Sequence, residues 1–192
     1  MKNSLVSLVI AGALVLPASA ATSFVVSFSG DQEVPSVVSS ASGMGTLTLS
    51  DDESRLTLLL TFTGVDLDGA VTPGSTADDV TGLHFHSAPA GSNGGVVFGI
   101  INPSNDANGD TILQAQFGTV ATVWDAGEGN GTTLTDQLVD LKAGNLYINV
   151  HTLGNPSGEI RGQVNPVTIP EPTAVFLVIL GTSLVGFRRH RR

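Results

Sequence analysis

Leu56-Thr57-Leu58-Leu59-Leu60-Thr61-Phe62 places Leu56, Leu58, Leu60 and Phe62 on one face of an extended chain and Thr57, Leu59 and Thr61 on the other. That is the two-residue period of a half-buried β-strand. Just upstream, Thr46-Leu47-Thr48-Leu49 alternates in the same way and Asp51-Asp52-Glu53 supplies turn residues, so the two runs read as a hairpin. Working outward, Phe24 to Phe28 is a first strand. Val80 to His86, Val96 to Ile101, Ile112 to Phe117, Val120 to Trp124, Leu146 to His151 and Ile160 to Val164 follow the hairpin. Strands this short and evenly spaced, punctuated by Gly, Asn, Asp and Ser, predict an all-β domain built as an antiparallel β-sandwich or barrel. One short helix interrupts them. Leu134, Leu138 and Leu141 recur at i, i+4 and i+7, Thr133 and Asp136 resemble a capping box, and Gly144 suits the C-terminal stop.

Both ends of the chain read as processing segments. Met1 to Ala20 has a basic start at Lys2, an apolar run from Leu5 to Leu16, a breaker at Pro17 and the small-residue site Ala18-Ser19-Ala20 before Ala21. Twelve apolar residues fall short of the roughly 20 needed to cross a bilayer. Residues 1–20 are therefore expected to be a signal peptide, cut after Ala20. At the other end, Thr173 to Phe187 is apolar and runs directly into Arg188-Arg189-His190-Arg191-Arg192. Fifteen helical residues cover roughly 22 Å of a hydrocarbon core about 30 Å thick, and upstream residues with snorkelling arginines close the gap. Residues 173–192 thus read as a transmembrane helix with a basic tail held on the cytoplasmic side. Asn165 to Pro172, with three prolines, reads as a linker, which bounds the folded domain at residues 22–165.

Stripped of its ends, residues 21–169 carry 16 acidic side chains against only Arg55, Lys142 and Arg161, a net charge of −13. Such a surface repels phosphate backbones, so nucleic acid is not an expected partner; divalent cations and basic partners are. Cysteine is absent, which leaves neither disulfide staples nor thiol chemistry.

The chemistry-bearing residues are few. His84-Phe85-His86 sets two imidazoles on one strand face, and His151 lies in Tyr147-Ile148-Asn149-Val150-His151-Thr152. Neutral imidazole is the commonest metal ligand, and three with an open position suit zinc or copper; the competing reading has all three hydrogen-bonded to main chain or carboxylates at a sheet edge. Asp106-Ala107-Asn108-Gly109-Asp110 copies the first spacings of a calcium loop, yet Phe117 stands where the bidentate Glu belongs. A turn is the stronger reading there. Gly91-Ser92-Asn93-Gly94-Gly95 lacks the residues of a phosphate loop. No Gly-x-Ser-x-Gly elbow occurs, and Glu159 with Arg161 reads as a structural ion pair. No catalytic residue is assigned, and the domain is not expected to be an enzyme.

Gly30-Asp31-Gln32-Glu33-Val34-Pro35, His84-Phe85-His86, Tyr147 to Thr152 and Pro156-Ser157-Gly158-Glu159-Ile160-Arg161-Gly162-Gln163 together resemble the CHRD domain, in the family order. Departures are small: Ser36 follows Pro35, and Ser87-Ala88 follow the His-x-His. The resemblance implies a β-sandwich or barrel module of exported proteins, immunoglobulin-like or superoxide dismutase-like, with no established enzymatic activity. The His-x-His with a distant His also resembles the copper-ligand layout of Cu,Zn superoxide dismutase, though the bridging histidine and disulfide have no counterparts in the sequence. Separately, Pro170-Glu171-Pro172, the apolar run and the arginines resemble the PEP-CTERM sorting signal. That implies handling by the secretion translocon, signal peptidase and an exosortase in a bacterium with an outer membrane, through an inner-membrane intermediate to the cell surface or extracellular matrix. The expectation is a surface-sorted, cofactor-free module binding extracellular polymer or protein. The alternative is a copper or zinc protein with His84, His86 and His151 as ligands, serving superoxide dismutation or metal storage.

Overall fold

The computed structural model describes residues 21–167. The expected signal peptide with Ala18 and Ala20, the Pro170-Glu171-Pro172 motif and the tail with Arg188, Arg189, Arg191 and Arg192 lie outside the described residues. Two antiparallel sheets and one helix make up the domain. In chain order the strands are β1 (Thr22–Phe28), β2 (Ser42–Leu49), β3 (Arg55–Thr63), β4 (Val80–Ser87), β5 (Gly95–Ile101), β6 (Ile112–Gln114), β7 (Thr119–Asp125), β8 (Leu146–Thr152), β9 (Ile160–Gln163) and β10 (Asn165–Pro166), with α1 (Leu134–Lys142) between β7 and β8. A six-stranded sheet runs β10-β1-β2-β3-β7-β6, and a four-stranded sheet runs β5-β4-β8-β9.

The β2–β3 hairpin forms in the register its alternation demands, with Leu47 opposite Leu58 and Leu49 opposite Leu56. Leu56, Leu58, Leu60 and Phe62 all point into the core. They meet Leu83, Phe85, Phe98, Ile148, Val150 and Ile160 from the other sheet. Trp124 lies between the layers, stacked on Phe98 with centroids 4.8 Å apart, and its Nε1 donates to the Glu128 carbonyl at 2.7 Å. That bond satisfies the one polar atom a buried tryptophan carries. Thr133 and Asp136 form the capping box, each side chain accepting from the other's backbone N–H, and Gly144 takes φ +73° just past the helix, where a left-handed residue stops it.

Three expectations need correction. The sandwich does not close into a barrel: Ser29 and Arg161 bridge the sheets along one edge, while β5 and β6 at the opposite edges belong to separate ladders among the described residues. The strand expected from Ile112 to Phe117 stops at Gln114 and turns into a 3-10 helix, Ala115–Phe117, ended by Gly118 at φ +61°. β6 is an exposed edge strand, so no buried face holds the alternation in extended form. Finally, the first residues of the expected linker, Asn165 and Pro166, pair with Val25 and Phe24 as a short edge strand, the position in a sheet that tolerates proline.

Candidate metal centre

A strand that lies in a two-layer sandwich exposes its second face to solvent. The second face of β4, β8 and β9 departs from this rule. It is polar yet buried: His84, His86, Tyr147, Asn149, Arg161 and Gln163 are all under 9 % exposed. Cross-strand pairing sets His84 beside Asn149 and His86 beside Tyr147, and then Asn149 beside Arg161 and Tyr147 beside Gln163. The segments 30–37 and 88–94 roof this layer. Asn93 Nδ2 donates to the Val34 carbonyl at 2.7 Å, the Gln163 amide N–H donates to Gln32 Oε1 at 3.3 Å, and Gln163 Nε2 donates to the carbonyls of Ala88 and Gly144.

At the end of the layer nearest β5, the three histidines meet. Ring centroids are 5.9 Å apart for His84 and His86, 5.1 Å for His84 and His151, and 6.2 Å for His86 and His151. One ring nitrogen from each lies within 4.8 Å of those of the other two. Gly82, opposite His151 on β4, makes this approach feasible, since a Cβ there would fall 2.6 Å from His84 Cε1 and 3.4 Å from His151 Cδ2.

Each ring is pinned by its other nitrogen. His84 Nε2 donates to the Asn102 carbonyl at 2.9 Å, His86 Nδ1 to the Gly94 carbonyl at 3.0 Å and His151 Nδ1 to the Pro156 carbonyl at 3.0 Å. A carbonyl can only accept, so these nitrogens carry the ring protons. His84 Nδ1, His86 Nε2 and His151 Nε2 are buried without a hydrogen-bond partner. In a neutral ring those atoms hold lone pairs. Burial pushes His86 down to about 4, with the Gly94 bond opposing and the neighbouring rings assisting, and burial likewise lowers His151. Both are neutral near pH 7. Main-chain hydrogen bonds and ligand geometry therefore coexist: the carbonyl bond fixes the tautomer and aims the free nitrogen, the arrangement found behind metal-bound histidines.

Beside the histidines runs a stack. His86 and Tyr147 lie 4.8 Å apart at 9°, and the Arg161 guanidinium carbon sits 3.4 Å from the Tyr147 centroid. The expected ion pair between Glu159 and Arg161 does not form. Glu159 instead accepts from Ser39, Thr152 and Asn155, and no carboxylate lies within 4.0 Å of Arg161 among the described residues. The reason is β9 itself, which starts at Ile160, so Glu159 precedes the ladder and turns toward the 152–155 loop. Glu33 was not anticipated as part of the site. Only 7 % exposed, it accepts from Asn149 Nδ2 at 3.2 Å through Oε2, and its Oε1 has no partner. Burial raises its carboxyl to about 7 against the opposing Asn149 bond and Arg161 charge. The sequence carried a signal for the polar layer, though not for Glu33: Tyr147, Asn149 and His151, like Arg161 and Gln163, are polar at every second position of strands whose other faces hold Leu146, Ile148, Val150 and Ile160 in the core.

The calcium-like loop folds as a turn. Asp106 accepts from the amides of Gly109 at 2.7 Å, Asp110 at 3.3 Å and Thr111 at 2.8 Å. Among the described residues the three histidines are the one group of three or more His, Asp or Glu side chains close enough together to be candidate ligands of a single metal ion. Residues 24–164 match the CHRD domain, and no curated protein matches the chain.

Proposed function

The chain belongs to the CHRD domain family, and from that footing we propose that it is an exported, non-catalytic module whose working centre is a copper or zinc ion held by His84, His86 and His151. The observation that carries this reading is the set of three pinned imidazoles, each with an unpartnered nitrogen, with one ring nitrogen of each within 4.8 Å of those of the other two. Leaving three lone pairs buried without donors is costly for a fold that has no use for them. Imidazole nitrogens suit zinc and copper, and three ligands leave one position for a water or an outside donor. When bound, the ion supplies a Lewis-acidic, exchangeable coordination position. The protein's part is to fix the tautomers through Asn102, Gly94 and Pro156 and to keep the rings dry. The likeness to the copper layout of a dismutase supports copper, while the absence of a bridging histidine and of a nucleophile constellation favours a binding or storage role over catalysis.

Delivery to the outside rests on the sequence of the two ends, with cleavage between Ala20 and Ala21 and exosortase recognition of Pro170-Glu171-Pro172. Elemental analysis of protein purified without an affinity tag tests the centre. About one equivalent of copper or zinc, lost on combined His84→Ala, His86→Ala and His151→Ala substitution, is expected. Substoichiometric metal that the triple variant retains refutes it.

A further inference from the structure

The outward face of the six-stranded sheet is broad and uncharged. Its central row sets Val25, Thr46, Leu59, Ala121 and Ile112 side by side across β1, β2, β3, β7 and β6, and the rows on either side add only serine, threonine, valine, methionine and glutamine. Arg55 and Asp125 stand at one end of the face and neutralise each other at 3.2 Å. Roughly a quarter to a third of a soluble surface is ordinarily charged, and residues 21–169 carry a net −13, so this face stands apart from the rest of the domain. Its relief is as particular as its chemistry. Met44, 69 % exposed, rises between two grooves of about 350 and 300 Å³. Gly45 and Gly43 floor them, with Leu60 2.4 Å and Phe62 2.6 Å from where a Cβ would stand.

We infer that this face is the interface of a homodimer, in which the outer sheets of two copies pack against each other about a twofold axis. A twofold contact applies one patch to itself, so the patch must hold both halves of every fit. Met44 and the grooves beside it meet that demand: the side chain of each copy enters a groove of the other, and methionine adapts to such a gap. Serine and threonine hydroxyls both give and accept hydrogen bonds, so their rows also pair with themselves. Charge leaves little choice of face, since two copies with the same negative charge repel wherever acidic surfaces meet. Size suffices as well. Five strands about 4.8 Å apart, each spanning roughly 20 Å, cover about 500 Å² per copy, and the resulting total of about 1,000 Å² is where specific interfaces begin. A sugar polymer fits less well: sugar rings lie on aromatic side chains, none of these rows holds one, and Trp124 and Tyr147 are buried. The three histidines lie on the other sheet and take no part in the contact.

Sedimentation and light scattering of the full-length chain in a mild detergent test this, followed up to about 100 μM because an interface of this size associates weakly. The chain has no cysteine, so Met44→Cys and Leu153→Cys, the latter exposed on a loop of the other sheet, report contact through a short bis-maleimide linker. A concentration-dependent dimer is expected, captured by the linker from Met44→Cys and not from Leu153→Cys. Leu59→Asp sets like charges into the contact and is expected to weaken association by about tenfold or more, and to abolish capture through Met44→Cys. Leu59 is 52 % exposed, so the variant keeps the fold, which circular dichroism verifies; Thr46→Lys, at another exposed position, supplies the same test where Leu59→Asp does not fold. A parent chain that stays monomeric, a dimer indifferent to the added charge, or equal capture from the two cysteine variants overturns the inference. So does a monomer that binds cellulose or chitin through this face.

Discussion

His86 and Tyr147, opposite one another on β4 and β8, stack face to face with centroids 4.8 Å apart and 9° between their planes. Arg161 closes the far side of the tyrosine, and the Tyr147 hydroxyl accepts from the Gly94 amide at 3.2 Å, the residue whose carbonyl pins His86. Tyr147 is thus a positioning residue that holds one imidazole twice, by its face and through Gly94. Tyr147→Ala is expected to weaken metal binding by about tenfold or more, in line with losses of groups behind metal ligands. Tyr147→Phe, which keeps the face, costs far less. Chelator competition on both variants measures the difference; equal affinities would remove the stack from the site.

Gly158 and Glu33 touch in a way that permits no larger residue. A Cβ at Gly158 would lie 2.6 Å from Glu33 Oε1, and its φ of +139° is foreign to side-chain-bearing residues. Gly158→Ala is expected to destabilise the domain by about 1–3 kcal/mol from the backbone alone, with the clash in addition. Adding Glu33→Ala removes the clash and leaves the strain, so the double variant should recover part of the loss and no more. Urea unfolding of the three variants reads the two contributions separately.

Glu33 also gives the domain a pH signature. The folded chain keeps the Glu33 proton up to about pH 7, whereas the ordinary glutamate value is 4.5. Between those values the folded state binds more protons, so this group's contribution is complete below pH 4.5 and lost as pH rises through 7. Burial is the main cause, opposed by the Asn149 hydrogen bond and the Arg161 charge and aided by Glu159. Relative to the parent, Glu33→Gln should therefore gain stability steadily from pH 4.5 to 7 in parallel urea melts. A stability difference that stays flat over that range would mean the carboxyl ionises as it does in water.

How far the sequence carried these conclusions depends on which face of each strand a residue occupies. The inward faces were legible, because Leu56, Leu58, Leu60 and Phe62 alternate with threonines and the hairpin register follows from that alone. The three histidines were legible as candidates, since His84 and His86 share a face by parity. Their meeting with His151 was expected only through the resemblance to the dismutase layout, because parity says nothing of β4 and β8 becoming neighbours across a separation of more than sixty residues. Glu33 was hidden for a different reason: it sits in no strand, and only the folding of residues 30–37 over β8 and β9 buries it. Edge elements were the least legible. Ile112 to Phe117 and Asn165 to Pro166 have no core face, so hydrophobic period says little about where they pair.

The loop from Asp106 to Asp110 offers the last test, because its composition invites calcium and its bonding does not. Asp106 spends Oδ1 on the amides of Gly109 and Asp110 and Oδ2 on that of Thr111. Asn108 Nδ2 donates to Asp125 Oδ2 at 2.8 Å, and the Val123 amide donates to Asp110 Oδ1 at 3.0 Å. Asp110 Oδ2 has no partner, but one bare oxygen is far from the six to eight that calcium asks for, and an ion would have to break the other bonds to gather the rest. Millimolar calcium should accordingly leave the melting temperature unchanged, since a ligand raises stability only when it binds the folded form. Asp106→Ala, by contrast, strips the loop of its acceptors and should cost about 1–3 kcal/mol with or without calcium. A melting temperature that climbs with calcium in the parent chain and not in Asp106→Ala would show that the loop rearranges around the ion.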